Sequence, residues 1–320
     1  MDTDQRLDAL VAPLRADVES GSSALGRMAA EVLGRAAMDA QAGSLEEYRL
    51  QLNELSVKVL DAQPAMATLV TLVRDVLTSV EASADLEAAR HAVVRTAEAF
   101  GSGLESRVES VATRAAALIP SGATVATISS SSTVQATLTH EGARAVGQVI
   151  CFESRPMREG EILATALAKA GVAVTFAVDA AASTLMGECD TVLLGADSIG
   201  DLGVVNKIGS AGLVDAAIRQ GVPVMVVSDE TKILPTGFPQ HLTDDRPPEE
   251  VWRAPAGVRV WNRYFEPFEL ERVTMVVTES DALTPAEVEE LREGIVLPPG
   301  LQAWADDRAR RSPAHRTPEV

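Results

Sequence analysis

The chain has 320 residues, 28 Lys and Arg against 46 Asp and Glu, and a formal charge of −18; 46% of its residues are hydrophobic and only 3% aromatic. That hydrophobic share is ordinary for a folded chain and excludes wholesale disorder. The acidic balance argues against a nucleic-acid binder, because phosphate contacts need a basic surface, and so few aromatic rings leave no base-stacking platform. The length suits one large domain or two modest ones. No apolar stretch reaches the roughly 18 residues of a bilayer span. The acidic start Met1-Asp2-Thr3-Asp4 has no apolar run behind it and is not expected to be a secretory signal. Cys151 and Cys189 are too few for a disulfide framework or a zinc cluster. A cytoplasmic, reduced chain with no membrane contact is expected.

The first 118 residues are rich in Ala, Leu, Glu and Arg and apolar at helical spacing. Ser44-Leu45-Glu46-Glu47 fits a capping box. Leu52, Leu55, Val59 and Leu60 then share a helical face, as do Leu86, Ala89, Val93, Ala97 and Phe100, and again Val108, Val111, Ala115 and Leu118. After Pro120 short apolar runs alternate with helical stretches. Strands are expected at Thr124–Ile128, Gly147–Phe152, Val172–Val178, Thr191–Leu194, Val222–Val227 and Val273–Thr278. Helices are expected at Ser132–His140, Gly160–Lys169, Ala182–Met186 and Lys207–Gln220. Continuous apolar strands indicate burial on both faces, and regular strand–helix alternation implies right-handed crossovers. The fold class is therefore α/β: an N-terminal helical domain (1–118), then a doubly wound, mainly parallel sheet (119–298). The Pro-containing, charged tail (299–320) is expected to be loose.

In an open parallel sheet, ligands bind at the carboxyl ends of the strands. Five successive strand ends here carry hydroxyls or charges: Ser129-Ser130-Ser131-Ser132, Glu153-Ser154-Arg155-Pro156, Asp179, Gly195-Ala196-Asp197 and Ser228-Asp229-Glu230-Thr231-Lys232. One polar pocket is expected. The serine run opens a helix, whose free N–H groups and dipole suit an anion, although four serines are also a turn with an N-cap. Arg155 is placed to clamp a phosphate, or stands as a solvated surface group. Lysine occurs only at 58, 169, 207 and 232. Lys58 and Lys169 read as helix-surface residues. Lys207, after Asn206 at an expected helix start, and Lys232, after the fifth strand, read as functional ammonium groups. Asp197 is a general base if burial raises its pKa, or else a cap of the next turn. No Gly-x-Gly-x-x-Gly, P-loop, His-Glu-x-x-His or Gly-x-Ser-x-Gly is present. His91, His140, His241 and His315 are too scattered to form a metal site, and His140 is expected to pack at the end of its helix. No cofactor and no metal are expected.

The segment CDTVLLGADSIGDLGVVNK, Cys189–Lys207, continuing into Ile208-Gly209-Ser210, resembles the Gly-Ala-Asp … Asn-Lys-Ile-Gly signature of one superfamily. It comprises the alpha, beta and delta regulatory subunits of initiation factor 2B, methylthioribose-1-phosphate isomerase and ribose-1,5-bisphosphate isomerase. The serine loop, Glu153-Ser154-Arg155-Pro156, Val222–Lys232, Asn262–Pro267 and Thr278-Glu279 follow in that family's order, over about residues 10–298. The resemblance implies a helical domain followed by a Rossmann-like domain, and a homodimer or higher oligomer. The isomerases pair a cysteine in the first-strand loop with the aspartate of Gly-Ala-Asp. Asp197 matches the aspartate, and Ser129 stands at the cysteine's position. Their Arg-Gly and Arg-Pro phosphate motifs correspond to Ser20-Gly21 and Gln63-Pro64.

Two functions are expected from this set. In the first, the chain binds a small phosphorylated metabolite, a sugar phosphate or nucleotide, in a site of Ser129, Ser130, Ser131, Ser132, Arg155, Asp197, Asn206, Lys207 and Lys232. Any catalysis is then aldose–ketose isomerisation of a sugar 1-phosphate, with Asp197 and Ser129 at the reacting atoms. In the alternative, the chain is a non-catalytic regulatory or assembly protein like the initiation-factor subunits.

Overall fold

A computed structural model describes residues 3–17, 20–141, 146–240, 242 and 245–311. Met1, Asp2, His241, His315 and the tail from 312 onward lie outside the described residues. The chain divides into two compact units, one of Met1–Leu104, Leu234–His241 and Arg292–Val320, the other of Glu105–Ile233 and Leu242–Leu291. The division falls inside one continuous helix rather than at 118.

The first unit is built on α1 (Thr3–Ala16), α2 (Ser22–Asp39), α3 (Leu45–Ala62), α4 (Ala67–Glu81) and the opening turns of α5 (Leu86–Leu118). The stripes expected on α3 and α5 form, and Leu33, Leu55, Val59, Leu69, Leu72, Val73, Val93 and Phe100 of α2 to α5 make one core. Ser44 caps α3, its hydroxyl accepting from the Glu47 N–H at 3.2 Å. The Glu47 carboxylate turns to the Gly43 N–H at 2.8 Å. The reciprocal bond of a full capping box is therefore displaced by one residue.

The second unit holds β1 (Thr124–Ile128), α6 (Ser132–Thr139), β2 (Gln148–Phe152), α7 (Gly160–Lys169), β3 (Val174–Ala177), the short α8 (Ala182–Leu185), β4 (Thr191–Leu194), β5 (Ser198–Gly200), β6 (Gly203–Lys207), α9 (Ser210–Gln220), β7 (Val224–Val227), β8 (Phe265–Phe268), β9 (Met275–Val277), β10 (Ala282–Leu283) and α10 (Pro285–Glu293). All six expected strands form, some trimmed at the ends. Seven strands make the main sheet in the order β10-β9-β7-β4-β1-β2-β3. Every pairing is parallel except β9 with β10. Val125, Val149, Cys151, Leu193, Met225 and Val227 meet Val111 and Ala115 of α5, Val134 and Leu138 of α6, and Leu163 and Leu167 of α7. The alternate residues Ala126, Ile150, Phe152, Val192, Leu194, Val224 and Val226 are buried as well. Both faces of the sheet are covered, which is why its strands read as unbroken apolar runs.

A second sheet, antiparallel in the order β5-β6-β8, was not foreseen. Its hairpin turns at Gly203, whose φ is +85°. A Cβ there would lie 2.2 Å from the Phe268 carbonyl oxygen, so glycine is what lets β8 approach. Lys207 consequently ends a strand, and the helix expected to begin with it starts at Ser210.

The expected loose tail is also corrected. Pro299–Arg311 forms α11, with Leu301 and Ala305 in the core of the first unit. Trp304 stacks on Phe238, ring centroids 5.8 Å apart. Leu301, Trp304 and Ala305 fall on one helical face, and Pro299 occupies the first position, where its missing N–H is harmless. No helix among the described residues is long and apolar enough to cross a membrane.

Candidate functional site

The strand order reverses between β1 and β4: the chain runs from β1 outward to β3, then returns to β4 and continues to β9 on the other side. The crevice outside such a switch point is where open α/β sheets bind ligands. The residues bordering it are the serine run after β1 and Gly195-Ala196-Asp197 after β4.

The first three strand ends are tied to one another. Ser129 adopts the left-handed conformation, φ +71°, and its N–H donates to the Ser154 hydroxyl at 2.5 Å. The Asp179 carboxylate accepts from the N–H groups of Ser154 and Arg155, both at 2.8 Å. Asp179 thereby organises the loop after β2. Ser131 caps α6, accepting from the Val134 N–H at 3.3 Å. Its side chain lies against Gly195, where a Cβ would come within 2.7 Å of the Ser131 hydroxyl oxygen. The serine loop and the Gly-Ala-Asp turn thus touch, and only glycine fits the contact.

Asp197 is held by a backbone bond from its N–H to the Val205 carbonyl at 2.9 Å. In the β5–β6 ladder Ser198 faces Val205, so Asp197 immediately precedes the hairpin whose second strand ends in Asn206 and Lys207. Lys232 approaches from the end of β7, its ammonium donating to the Ala196 carbonyl at 2.9 Å. Asp229 fixes the turn that carries Lys232, its carboxylate accepting from the Thr231 N–H at 3.1 Å. Burial pushes the Asp197 carboxyl up to about 6, and the charges of Lys232 and then Lys207 hold it from rising further. A carboxylate so placed is ionised at neutral pH yet basic enough to accept a proton.

The Lys207 side chain is only 3% exposed and is paired with the Glu159 carboxylate at the start of α7. Its ammonium stands 4.6 Å from the centre of the Tyr264 ring, with the Arg246 guanidinium also on that ring at 4.8 Å. The Tyr264 hydroxyl donates to Glu250 at 2.7 Å, and burial with that carboxylate pushes the phenol up to about 12. Asn262 also donates to Glu250, at 2.8 Å. Glu159, Tyr264 and Glu250 were not among the sequence-derived site residues. A glutamate one position before a helix carries no local pattern that marks it, and Tyr264, although within the family-ordered segment Asn262–Pro267, has none that singles it out.

Other expected site residues stand apart from this cluster. The Arg155 side chain is exposed and donates to the Val251 carbonyl at 3.2 Å. Ser130 and Ser132 are exposed. Asn206 is buried and donates to the Ser210 hydroxyl at 3.0 Å, bracing the entry to α9. That entry is capped from β8, where the Glu266 carboxylate accepts from the N–H groups of Gly209 and Ala211 at 2.8 and 2.9 Å. His140 packs at the end of α6, as expected, 3.1 Å from the Thr113 hydroxyl. In the first unit, the Gln63 amide donates to the carbonyls of Leu14 and Asp17 at 2.8 and 2.7 Å. It acts there as a backbone tie.

The profile of the initiation factor 2 subunit family matches residues 18–285. The chain is 30% identical over 275 residues to the ribose 1,5-bisphosphate isomerase of Archaeoglobus fulgidus, covering 83% of this chain and 85% of that one. It is 28% identical over 289 residues to the 5-deoxyribose 1-phosphate isomerase of Moorella thermoacetica, covering 83% and 82%. Among solved structures, the translation initiation factor eIF-2B of Pyrococcus horikoshii OT3 aligns with a TM-score of 0.74 at 25% identity, over 88% of this chain and 98% of that chain. A match from residue 18 to residue 285 places the chain in the initiation factor 2 subunit family.

Proposed function

We propose that this protein binds a phosphorylated sugar at the carboxyl edge of its parallel sheet and isomerises it between aldose and ketose forms. The observation that carries this reading is the position of Asp197 after β4 at the switch point, next to Ala196, whose carbonyl accepts from the buried Lys232 ammonium; burial raises the Asp197 carboxyl to about 6. Relatives named as isomerases of ribose 1,5-bisphosphate and 5-deoxyribose 1-phosphate supply the substrate class. Aldose–ketose isomerisation moves hydrogen between neighbouring carbons of one molecule, so no net oxidation and no second substrate are needed. Asp197 takes up a substrate proton and returns it. The N-terminus of α6 and Lys232 offer the positive field for the phosphate, and Lys207 does so once an anion competes with Glu159.

Ser129 stands where the related isomerases are expected to carry a thiol. A hydroxyl is a far weaker acid, so in this reading Asp197 carries the proton transfer and Ser129 donates a hydrogen bond. Arg155 joins the site by leaving the Val251 carbonyl for the ligand's phosphate. The two unpaired thiols, Cys151 and Cys189, suit a cytoplasmic chain, and we also propose that it self-associates.

The test is incubation of the purified chain with ribose 1,5-bisphosphate and 5-deoxyribose 1-phosphate, following ketose formation. Conversion of either, reduced about 100-fold or more by Asp197→Asn, supports the reading. No conversion of any sugar 1-phosphate by the folded protein overturns it.

A further inference from the structure

The first unit carries a groove of about 630 Å³ between α2 and α5 that the proposed reaction does not use. Ala30 and Gly34 of α2 and Ala97 and Gly101 of α5 line it. A Cβ at Gly34 would meet the Ala97 Cβ at 3.8 Å, and one at Gly101 the Ala30 Cβ at 3.5 Å, so the two helices run antiparallel and close together. Over this floor α2 presents Arg27, Glu31, Arg35 and Asp39, all of which line the groove. A spacing of four residues places them in one ridge of the helix, about 6 Å apart along its axis. Their signs alternate. Glu31 and Arg35 form an exposed pair at 3.8 Å, with 70% and 74% of their side chains accessible. Asp39, at the end of α2, meets Arg6 of α1 at 3.5 Å.

We propose that this groove pairs two copies of the chain, α2 against α2 and antiparallel, about a two-fold axis that passes level with Leu33. This rests on the self-association proposed above and is independent of the isomerase reading. A two-fold contact sets each residue opposite its mirror position. About that axis Arg27 meets Asp39 of the second copy and Glu31 meets Arg35 of the second copy, so all four contacts join opposite charges. Sliding one helix by four residues sets Arg27 against Arg35 and Glu31 against Glu31. A parallel arrangement in register sets every charge against itself. The pattern therefore selects one partner and one register. Ridges spaced by four cross at about −50°, which seats one helix beside the other, and the small floor lets it approach closely. On a chain of charge −18, two copies repel over most of their surface, whereas residues 27–39 hold two arginines against one glutamate and one aspartate. A single exposed ion pair contributes little, but Glu31 and Arg35 of both copies form a closed network of four. Glu98, one residue beyond Ala97 on the α5 wall, offers the incoming Arg35 a further carboxylate.

The test is the mass of the full chain by sedimentation equilibrium over a range of protein concentrations, for the parent, Glu31→Arg and Arg35→Glu. Each single change sets like charges against each other across the axis, so each variant should lose half the mass of the parent assembly. Mixing the two variants restores four contacts of opposite sign, and the mixture should regain the parent mass. The double variant Glu31→Arg/Arg35→Glu should regain it alone. Circular dichroism checks that the variants keep the parent's helix content; should one single variant fail to fold, the other decides by keeping or losing half the mass. A parent that stays monomeric at every concentration overturns both this surface and the self-association it rests on. A parent that associates, with both variants keeping its mass, overturns this surface alone. Variants that come apart and do not recover on mixing overturn the charge pairing on which the proposal is built.

Discussion

Lys232 donates its ammonium proton to the carbonyl oxygen of Ala196, one residue before Asp197. The bond fixes a buried cation beside the carboxylate without neutralising either. Lys232 is the larger of the two charges restraining the Asp197 pKa. Lys232→Met is therefore expected to raise the Asp197 midpoint above 6, and a pH titration of the Asp197 carboxyl measures it.

Asp197 should also cost the protein stability at neutral pH. Its folded pKa, about 6, lies above its ordinary value of 3.8, so the native state holds the proton more tightly than the unfolded chain. The native state is then penalised progressively as pH rises from about 4 to about 6, and the penalty is constant above that. Asp197→Asn is expected to stabilise the protein by about 2–3 kcal/mol at pH 7.5, and by much less at pH 4. Denaturant unfolding of parent and variant at both pH values checks this. A destabilised variant at pH 7.5 would mean that the carboxylate makes stabilising contacts.

The contact between Gly195 and Ser131 makes a sharper steric prediction. A methyl group at 195 would sit 2.7 Å from the Ser131 hydroxyl oxygen and 2.9 Å from its Cβ. Gly195→Ala should displace Ser131 from its cap and cost about 1–3 kcal/mol. Ser131→Ala, which removes only the cap, should cost about 1 kcal/mol. Placing Ala at both positions should cost less than the sum, because the second change relieves the first, and thermal unfolding of the three variants measures the difference.

Leu301 is 1% exposed in the core of the first unit. Leu301→Ala should destabilise the protein by about 2–5 kcal/mol, whereas substituting exposed Gln302 should change little. A Leu301→Ala variant as stable as the parent would place α11 outside the cooperative core.

The parallel sheet was legible because both faces are buried: Val192, Leu193 and Leu194 are all inaccessible, and such a run announces itself without any knowledge of topology. The β5–β6 hairpin was not, because Ser198–Lys207 mixes polar residues with glycines and its buried face is set by β8, about sixty residues on. The tail was misjudged for the opposite reason. Asp306–Arg311 is charged, but three residues at helical spacing before it suffice to anchor the helix. Asp197, Lys207 and Lys232 stand out in the sequence because strand ends are few and polar groups there are conspicuous, and the proposed function rests on them. Glu159 is visible only through what it touches, Lys207, which sequence distance hides, and the same contact picks Tyr264 out of the family-ordered segment Asn262–Pro267.

The two cysteines have a practical consequence. Cys151 lies in the interior of β2 and Cys189 packs before β4, and burial pushes their thiols up to about 12 and about 11. Thiolate formation is disfavoured at both positions, so thiol-directed oxidants and alkylating agents find no reactive cysteine in the native fold. Oxidative damage to this chain therefore falls first on its exposed thioethers, Met38 and Met157, rather than on its thiols.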